Sequence, residues 1–166
     1  MTPLVGVLMR VDGTIENVLT DFIPLDGNRT ESVITAFVEK IGGGNVNVIL
    51  TEGVTFGGFD IIVPDEMYSK TGIPFISVTK GKGDLDSMIS ALEKHGDSEK
   101  LSKLRALHPV RKDIGDRLFT LNMSGISEKE AISLVRKLMR VGNVPEPLRI
   151  ADMIAFSFQT CRENMP

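Results

Sequence analysis

The segment from Val46 to Asp60, VNVILTEGVTFGGFD, constrains the fold of this chain more than any other. Its first part, Val46 to Leu50, is apolar except at Asn47, which predicts a central strand covered on both faces. The strand ends at a carboxylate, Glu52, and runs into a loop with three glycines, Gly53, Gly57 and Gly58. Buried strands of α/β proteins present ligands at their carboxyl ends, and glycine allows a close approach. This loop is therefore the first candidate for a functional site.

Apolar strands and helices alternate along the chain. Five apolar residues at helical spacing, Val33, Ile34, Phe37, Val38 and Ile41, predict one amphipathic helix. We predict strands over residues 4–11, 14–23, 46–50, 74–78 and 118–123, and helices over 30–41, 64–70, 85–95, 128–141 and from 145 onward. This order predicts an α/β protein in which helices cover both faces of a mixed sheet.

Turn and capping signals bound several of these elements. Asp12-Gly13 is typical of a two-residue hairpin turn, and Ser127 with Glu130 matches a capping box. Residues 97–115 are polar and mixed, so we predict only a short helix and a loop there. The last helix is apolar nearly all round, which predicts that it is buried or docks on a second subunit.

Length and composition bound the class of protein. A chain of 166 residues suits one domain, residues 1–166, with an ample core. It has no apolar run of about 18 residues, so we expect no membrane partner. A single cysteine, Cys161, and the lack of a basic leader favour the cytoplasm. The two histidines have no ligand partners at zinc spacing, so any metal would sit on carboxylates, as Mg²⁺ or Mn²⁺. The net charge of −3 neither indicates nor excludes nucleic-acid binding.

Two acids are candidate metal ligands. Glu52 at its strand end could hold a divalent cation, or it could lie in a solvated turn or cap a helix. Asp26 stands in Leu25-Asp-Gly27, where a turn is the simpler interpretation. If the strands that precede the two acids are neighbours, one cation could relieve the repulsion between both carboxylates.

Basic residues offer a second kind of site. Lys80 and Lys82 join a strand to a helix and could contact a nucleic-acid backbone, or lie in a solvated turn. Arg149 lies in the first turn of the last helix, where the helix dipole disfavours a cation. Glu146 is the nearest compensating partner, and a phosphate is the functional alternative. Asp152, one turn later on the same face, could join this network or be a further site acid.

Several segments together resemble an archaeal family known as domain of unknown function ninety-nine, also labelled endonuclease dU. They are LVGVLMR from Leu4, LDG from Leu25, LTEGVTFGGF from Leu50, TGIP from Thr71 and PEPLRIA from Pro145. The family is similar to endonuclease V, which implies a ribonuclease-H-like fold and a single endonuclease-V-like domain. It also implies cleavage of DNA, or of RNA, near uracil or hypoxanthine in DNA repair, with a metal that activates water. By this resemblance Asp26 and Glu52 fall where the family carries acids.

The chain departs from the family pattern in two places. Glu52 stands where the family usually has aspartate. Family members also begin with another strand, which bears a Gly-Ile-Asp-Asp-Gly type motif, before the segment that matches Leu4 to Arg10. The resemblance thus implies that a central strand and its acid are missing. We expect self-association or a rearranged sheet to fill the gap. In a less favoured alternative, residues 4–11 take the central place and Asp12 supplies the acid.

Two functions follow from these observations. One is a metal-dependent endonuclease, which requires at least three acids in one pocket. The other is a catalytically inactive nucleic-acid-binding or assembly protein that keeps the fold and uses a basic groove, formed by Lys80, Lys82, Arg111 and Lys112.

Overall fold

The computed structural model describes residues 1–163, which form eight strands and six α-helices. The strands are β1 (Thr2–Met9), β2 (Ile15–Ile23), β3 (Ile49–Glu52), β4 (Thr55–Phe56), β5 (Asp60–Ile61), β6 (Phe75–Lys80), β7 (Val110–Ile114) and β8 (Arg117–Ser124). The helices are α1 (Thr30–Ile41), α2 (Pro64–Thr71), α3 (Leu85–His95), α4 (Ser98–Arg105), α5 (Glu128–Leu138) and α6 (Glu146–Glu163). None of the helices in this part of the chain is long and apolar enough to cross a membrane.

The strands form two main sheets rather than one. Strands β3, β6, β8 and β7 make a four-stranded mixed sheet in that order, in which only β3 and β6 are parallel. Strands β1 and β2 make a separate antiparallel hairpin, and β4 with β5 makes a short one. The alternative in which residues 4–11 take the central place of a sheet is therefore wrong, because β1 pairs with β2 and with no other described strand.

Helices cover both faces of the four-stranded sheet. On one face α5 packs over Ile76, Val78 and Leu121, which are fully or almost fully buried. On the other face Phe75 belongs to a core that continues through α1 and α2 to Ile23 and Leu4 of the hairpin. This second core therefore joins the two sheets although no strand does. Helix α6 packs along β1 and also reaches β3, so it bridges the two sheets from the other side.

Local signals placed most boundaries well. The helix predicted over residues 30–41 is α1, Pro64 is the first residue of α2, and the predicted capping box of Ser127 and Glu130 is confirmed. At Asp12-Gly13 the predicted turn is present, where the Asp12 carboxylate accepts a hydrogen bond from the Thr14 amide at 2.8 Å.

Other boundaries differ from the sequence prediction. Strand β3 begins at Ile49 rather than at residue 46, and α5 ends at Leu138 rather than at residue 141. Strand β7 lies where we predicted a loop, because its side chains are mostly exposed at the sheet edge and show no apolar pattern. Helix α6 is not buried all round either, since Met153 and Phe156 are 48% and 67% exposed.

Candidate functional site

A cavity of about 1200 Å³ separates the two sheets, and we call it the slot. Its sides are β1 and β3, and its walls are α1 on one face and α5 with α6 on the other. Apolar side chains that line it include Val7, Phe37, Leu50, Leu134, Leu148 and Ala155. Two acids of the sequence prediction, Glu52 and Asp152, also line it. The slot is a large cavity lined mainly by apolar side chains with a few polar groups, which makes it the default place for a functional site.

Glu52 is the last residue of β3, and its side chain is exposed at the slot. Its carboxylate makes no hydrogen bond or ion pair with any residue of the described part of the chain. Gly53 follows with φ of 72°, a conformation that favours glycine, so the backbone turns away directly after the acid. The strand end therefore presents a solvated carboxylate without a partner among the described residues.

Asp152 lines the slot from α6, and its carboxylate also has no hydrogen-bond or ion-pair partner among residues 1–163. It does not join the Arg149 network. Across the described residues, no three acidic, histidine or cysteine side chains stand close enough together to hold a metal ion. The slot thus offers two free carboxylates but no complete metal cage.

Asp26 lies on a different loop, where its carboxylate accepts a hydrogen bond from the backbone. The Phe59 amide donates to Asp26 Oδ1 at 3.0 Å, and the Asp26 amide donates to the Gly57 carbonyl at 2.7 Å. Asp26 has φ of 52° and crowds Gly58, where a Cβ would meet Asp26 Oδ1 at 2.2 Å. Gly57 and Gly58 therefore allow close approach of this turn rather than of a ligand. Asp26 does not line the slot, so Asp26 and Glu52 are not brought to one cavity.

Asp60 is a residue that sequence reasoning missed. It is 5% exposed, and its Oδ2 accepts hydrogen bonds from the amide and the hydroxyl of Thr30, at 2.8 and 2.7 Å. Since the N-cap residue Arg29 gives no side-chain cap, Asp60 caps α1 from 30 residues away. The only sequence signal was an acid in an apolar context, which does not indicate its partner.

The basic residues Lys80 and Lys82 lie at the same end of the four-stranded sheet as Glu52, where β3 and β6 have their carboxyl ends. Glu52 pairs with Val78 in the parallel register, and Lys80 follows two residues later at the carboxyl end of β6. Lys82 is exposed in the next turn, where its carbonyl accepts a hydrogen bond from Arg111 Nε at 3.2 Å. Lys112 instead forms an ion pair with Glu128 of α5 at 2.9 Å. Lys80, Lys82 and Arg111 therefore form a small cationic edge at the end of the sheet where Glu52 lies.

The guanidinium of Arg149 is bound by the carboxylate of Glu146. Its Nε and Nη2 donate to the two carboxylate oxygens of Glu146 at 2.8 and 2.6 Å. These hydrogen bonds raise the pKa of Arg149 and hold the pKa of Glu146 below its usual value. The internal ion pair that the sequence favoured is thus present, and it offsets the cost of a cation near the start of α6.

Comparison with solved structures identifies the fold. The fold matches an Archaeoglobus fulgidus protein of unknown function with a TM-score of 0.83, at 25% identity over 94% of this chain and 89% of that one. It also matches Ciona intestinalis endonuclease V, solved with inosine-containing DNA, with a TM-score of 0.60 at 12% identity over 96% and 80% of the chains. The fold is therefore ribonuclease-H-like, as it is in endonuclease V.

The family follows from the sequence comparisons. The endonuclease dU family model matches residues 1–158, and the chain belongs to this family. It is 37% identical to a UPF0215 protein of Thermoplasma volcanium over 92% of this chain and 78% of that protein. It is 38% identical to a UPF0215 protein of Thermococcus gammatolerans over 96% and 82%.

Proposed function

We propose that this protein is an endonuclease that cleaves nucleic acid at or next to deaminated bases, with its reactive centre at the Glu52 end of the slot. The observation that carries the proposal is the free Glu52 carboxylate at the carboxyl end of β3, beside the cationic edge of Lys80, Lys82 and Arg111. Membership of the endonuclease dU family supports the same reaction class. A deaminated base pairs weakly, so less free energy is needed to extrude it from a duplex.

The charges of the basic residues and of Glu52 suggest separate roles for them in binding and cleavage. Lys80, Lys82 and Arg111 attract the phosphate backbone and position it along the sheet edge. Because these contacts are electrostatic, they are the same for every base and provide no lesion preference. Binding at this edge brings a phosphodiester towards Glu52, two residues back from Lys80 in the register.

A divalent cation is part of this proposal. Mg²⁺ is commonly held by one or two carboxylates and completed by substrate phosphates, so Glu52, with Asp152 of the same slot, would supply the ligands of an open site of this kind. Neither carboxylate has a partner within residues 1–163, and both line the slot. Such an ion, when bound, would activate a water and stabilise the leaving oxygen. The fold occupies Asp26, so we assign it to holding the loop around Gly57 rather than to the metal.

The test is cleavage of a single-stranded oligonucleotide that contains one deoxyuridine, with Mg²⁺ and then with Mn²⁺. We expect Glu52→Gln to reduce cleavage by about 10²-fold or more, because an amide cannot replace a carboxylate ligand. Glu39→Gln, an exposed change on α1 outside the slot, is the matched control. Equal cleavage by the two variants would contradict the role of Glu52, and cleavage without added metal in chelator would contradict the metal.

A second candidate function is nucleic-acid binding without cleavage. It is favoured by the lack of a three-acid group in the described residues. The two candidates share the cationic edge, so Lys80→Ala with Lys82→Ala should weaken binding in both, and should flatten its salt dependence. They differ at Glu52. If the intact chain binds the oligonucleotide but cleaves none of it with either metal, the second candidate replaces the first.

A further inference from the structure

We propose that the outer face of α5 is a second contact surface for nucleic acid, which binds the phosphate backbone where it continues beyond the cationic edge of Lys80, Lys82 and Arg111. The inference shares with the proposed function only the class of partner, a nucleic acid. It does not require that the chain cleaves this partner, and its test measures binding.

The first observation is a row of cations on the side of α5 that faces solvent. Ala131, Val135 and Leu138 of this helix are buried in the core beside the four-stranded sheet. Apart from two glutamates, the exposed residues from 128 to 140 are Lys129, Ser133, Arg136, Lys137 and Arg140. Residues three or four positions apart are neighbours on a helix surface. They therefore form one row, which rises about 12 Å from Lys129 to Lys137.

The two glutamates of α5 do not neutralise this row, because other groups already bind them. Glu128 forms an ion pair with Lys112 of β7 at 2.9 Å. Glu130 accepts hydrogen bonds from the amide and the hydroxyl of Ser127 in the capping box. The positive charge of the outer face is therefore not compensated from within the helix.

Three cations of the row have no partner of their own. Within residues 1–163, the side chains of Lys129, Arg136 and Lys137 make no hydrogen bond or ion pair. Arg140 differs, since its Nη2 donates to the Val11 carbonyl at 2.6 Å. The helix dipole favours Arg136 and Lys137 in the last turn but disfavours Lys129 in the first. Helix stability therefore does not explain the whole row, whereas an external polyanion does.

Strand β7 connects this row to the cationic edge. Arg111 and Lys112 are consecutive, so their side chains point to opposite faces of the sheet. Arg111 donates to the Lys82 carbonyl on one face, and Lys112 reaches Glu128 at the start of α5 on the other. Because β7 is the outer strand, no described strand lies beyond it. A phosphate backbone on the cationic edge can therefore continue round β7 onto α5.

The partner that fits this row is a nucleic-acid backbone. The chain has a net charge of −3, so the row is a local concentration of positive charge and not part of a generally basic surface. A rise of about 12 Å matches about three or four phosphates of one strand. An anionic membrane fits less well, because helices that bind it carry large apolar side chains on the inserted face. None of the exposed side chains from Lys129 to Lys137 is large and apolar.

The test is the salt dependence of binding to an undamaged single-stranded oligonucleotide of about 20 nucleotides, followed by fluorescence anisotropy. We expect Arg136→Gln with Lys137→Gln to reduce the slope of log affinity against log salt concentration by about 1.4, since each lost phosphate contact removes about 0.7. The affinity should fall about tenfold at roughly 0.2 M salt, and further at lower salt, because the lost contacts are electrostatic.

Lys40→Gln with Lys94→Gln is the matched control. Both are exposed lysines in the last turns of α1 and α3, so this pair removes the same charge and the same interaction with a helix dipole. It should leave the slope and the affinity unchanged. Equal losses in the two pairs would assign the effect to net charge, and no loss in the α5 pair would restrict the backbone to the cationic edge. Either result would overturn the proposal, as would a lack of binding by the intact chain.

A single variant and a second ligand complete the test. Lys129→Gln, at the other end of the row, should reduce the slope by about 0.7 and decides the question if the α5 pair does not fold. Vesicles of phosphatidylcholine and phosphatidylserine represent the membrane alternative. If the α5 pair loses binding to these vesicles and keeps binding to the oligonucleotide, the surface is a lipid surface and the proposal is overturned.

Failure of this inference and failure of the proposed reaction are distinguishable. Lys129, Arg136 and Lys137 do not line the slot, so cleavage is decided by Glu52 and binding over α5 by the three cations. A chain that binds through α5 and cleaves with neither metal would contradict the proposed reaction and support this inference. A chain that cleaves, and whose α5 pair binds as tightly as the intact chain, would overturn this inference alone.

Discussion

The two edges of β3 contrast sharply. Towards β6 the edge is paired, and the sheet continues through β8 to β7 over a core in which Ile76 and Leu121 have no exposed surface. Towards β1 the same strand faces a cavity, and the side chains of Val7 and Leu50 are only half-buried. The contrast shows that helices α1 and α6 can hold two sheets together without strand pairing between them. Two carboxylates are free on this side, that of Glu52 at the end of β3 and that of Asp152 on α6.

The largest expected difference between the two sides of β3 is in the free energy of unfolding that is lost when an apolar side chain is truncated. Leu121→Ala should lower the free energy of unfolding by about 2–5 kcal/mol, because it opens a cavity in a closely packed core. Val7→Ala should cost about 1 kcal/mol or less, because Val7 already borders open space. Denaturant unfolding measures both. Equal costs would mean that the slot is closed in solution.

The next effect concerns the hydrogen bonds that connect Asp60, in the short hairpin of β4 and β5, to the start of α1. Asp60→Asn should cost about 1.5–3 kcal/mol, because the buried carboxylate accepts two hydrogen bonds from Thr30 and the amide is a weaker, uncharged acceptor. Asp113→Asn on the exposed face of β7 is the control, and it should change stability by about 0.5 kcal/mol or less. Thermal unfolding measures the two variants side by side. Equal unfolding midpoints would contradict the role of Asp60 as the cap of α1.

Replacing an alanine by a larger residue should lower the free energy of unfolding on the paired side of β3 and raise it on the slot side. Ala131 of α5 has no exposed surface, so Ala131→Leu should overpack the core and cost about 1–3 kcal/mol. Ala151 of α6 borders the slot, so Ala151→Leu should fill space and add about 0.5–1 kcal/mol of stability. Urea unfolding gives both values. A loss of stability in Ala151→Leu would show that the slot does not have room for the side chain.

The smallest expected effect is a pH dependence on the paired side. Hydrogen bonds from the Ser127 hydroxyl and amide hold the pKa of Glu130 below its usual 4.5. A carboxyl whose pKa is lowered by folding stabilises the protein above the unfolded pKa, and this contribution is lost as the pH falls through the folded pKa. The stability difference between the wild type and Glu130→Gln should therefore be present at pH 7 and shrink below about pH 4. A constant difference across this range would contradict the assignment.

Elements set by their own residues were predictable. The apolar stripe of α1, Pro64 at the start of α2 and the capping box of α5 each depend on neighbours within a few residues, and the structure has all three. Strand β7 was missed for a related reason. It is an edge strand with exposed side chains, and its pairing with β8 provides the order that its composition does not indicate.

The acids show where prediction from sequence stops. Asp26 and Glu52 both stand beside glycines, and in the sequence each is a candidate metal ligand, although a turn is the simpler interpretation for Asp26. The tertiary structure distinguishes them, because the Phe59 amide, 33 residues away, takes the Asp26 carboxylate and no described residue takes that of Glu52. Asp60 could not be found at all, since its partner Thr30 lies 30 residues away in the chain.

The sequence by itself determined the class of fold, the order of the helices and of the strands other than β4, β5 and β7, and the acid at the end of β3. These depend on periodicity, turn residues and capping, which act over one or two turns of chain. Only the tertiary structure decided that β1 pairs with β2 alone, that β3 keeps one open edge, and that Glu52 and Asp152 share the slot. Strand pairing and helix packing join residues far apart in sequence, and the free energy of those contacts has no local signature.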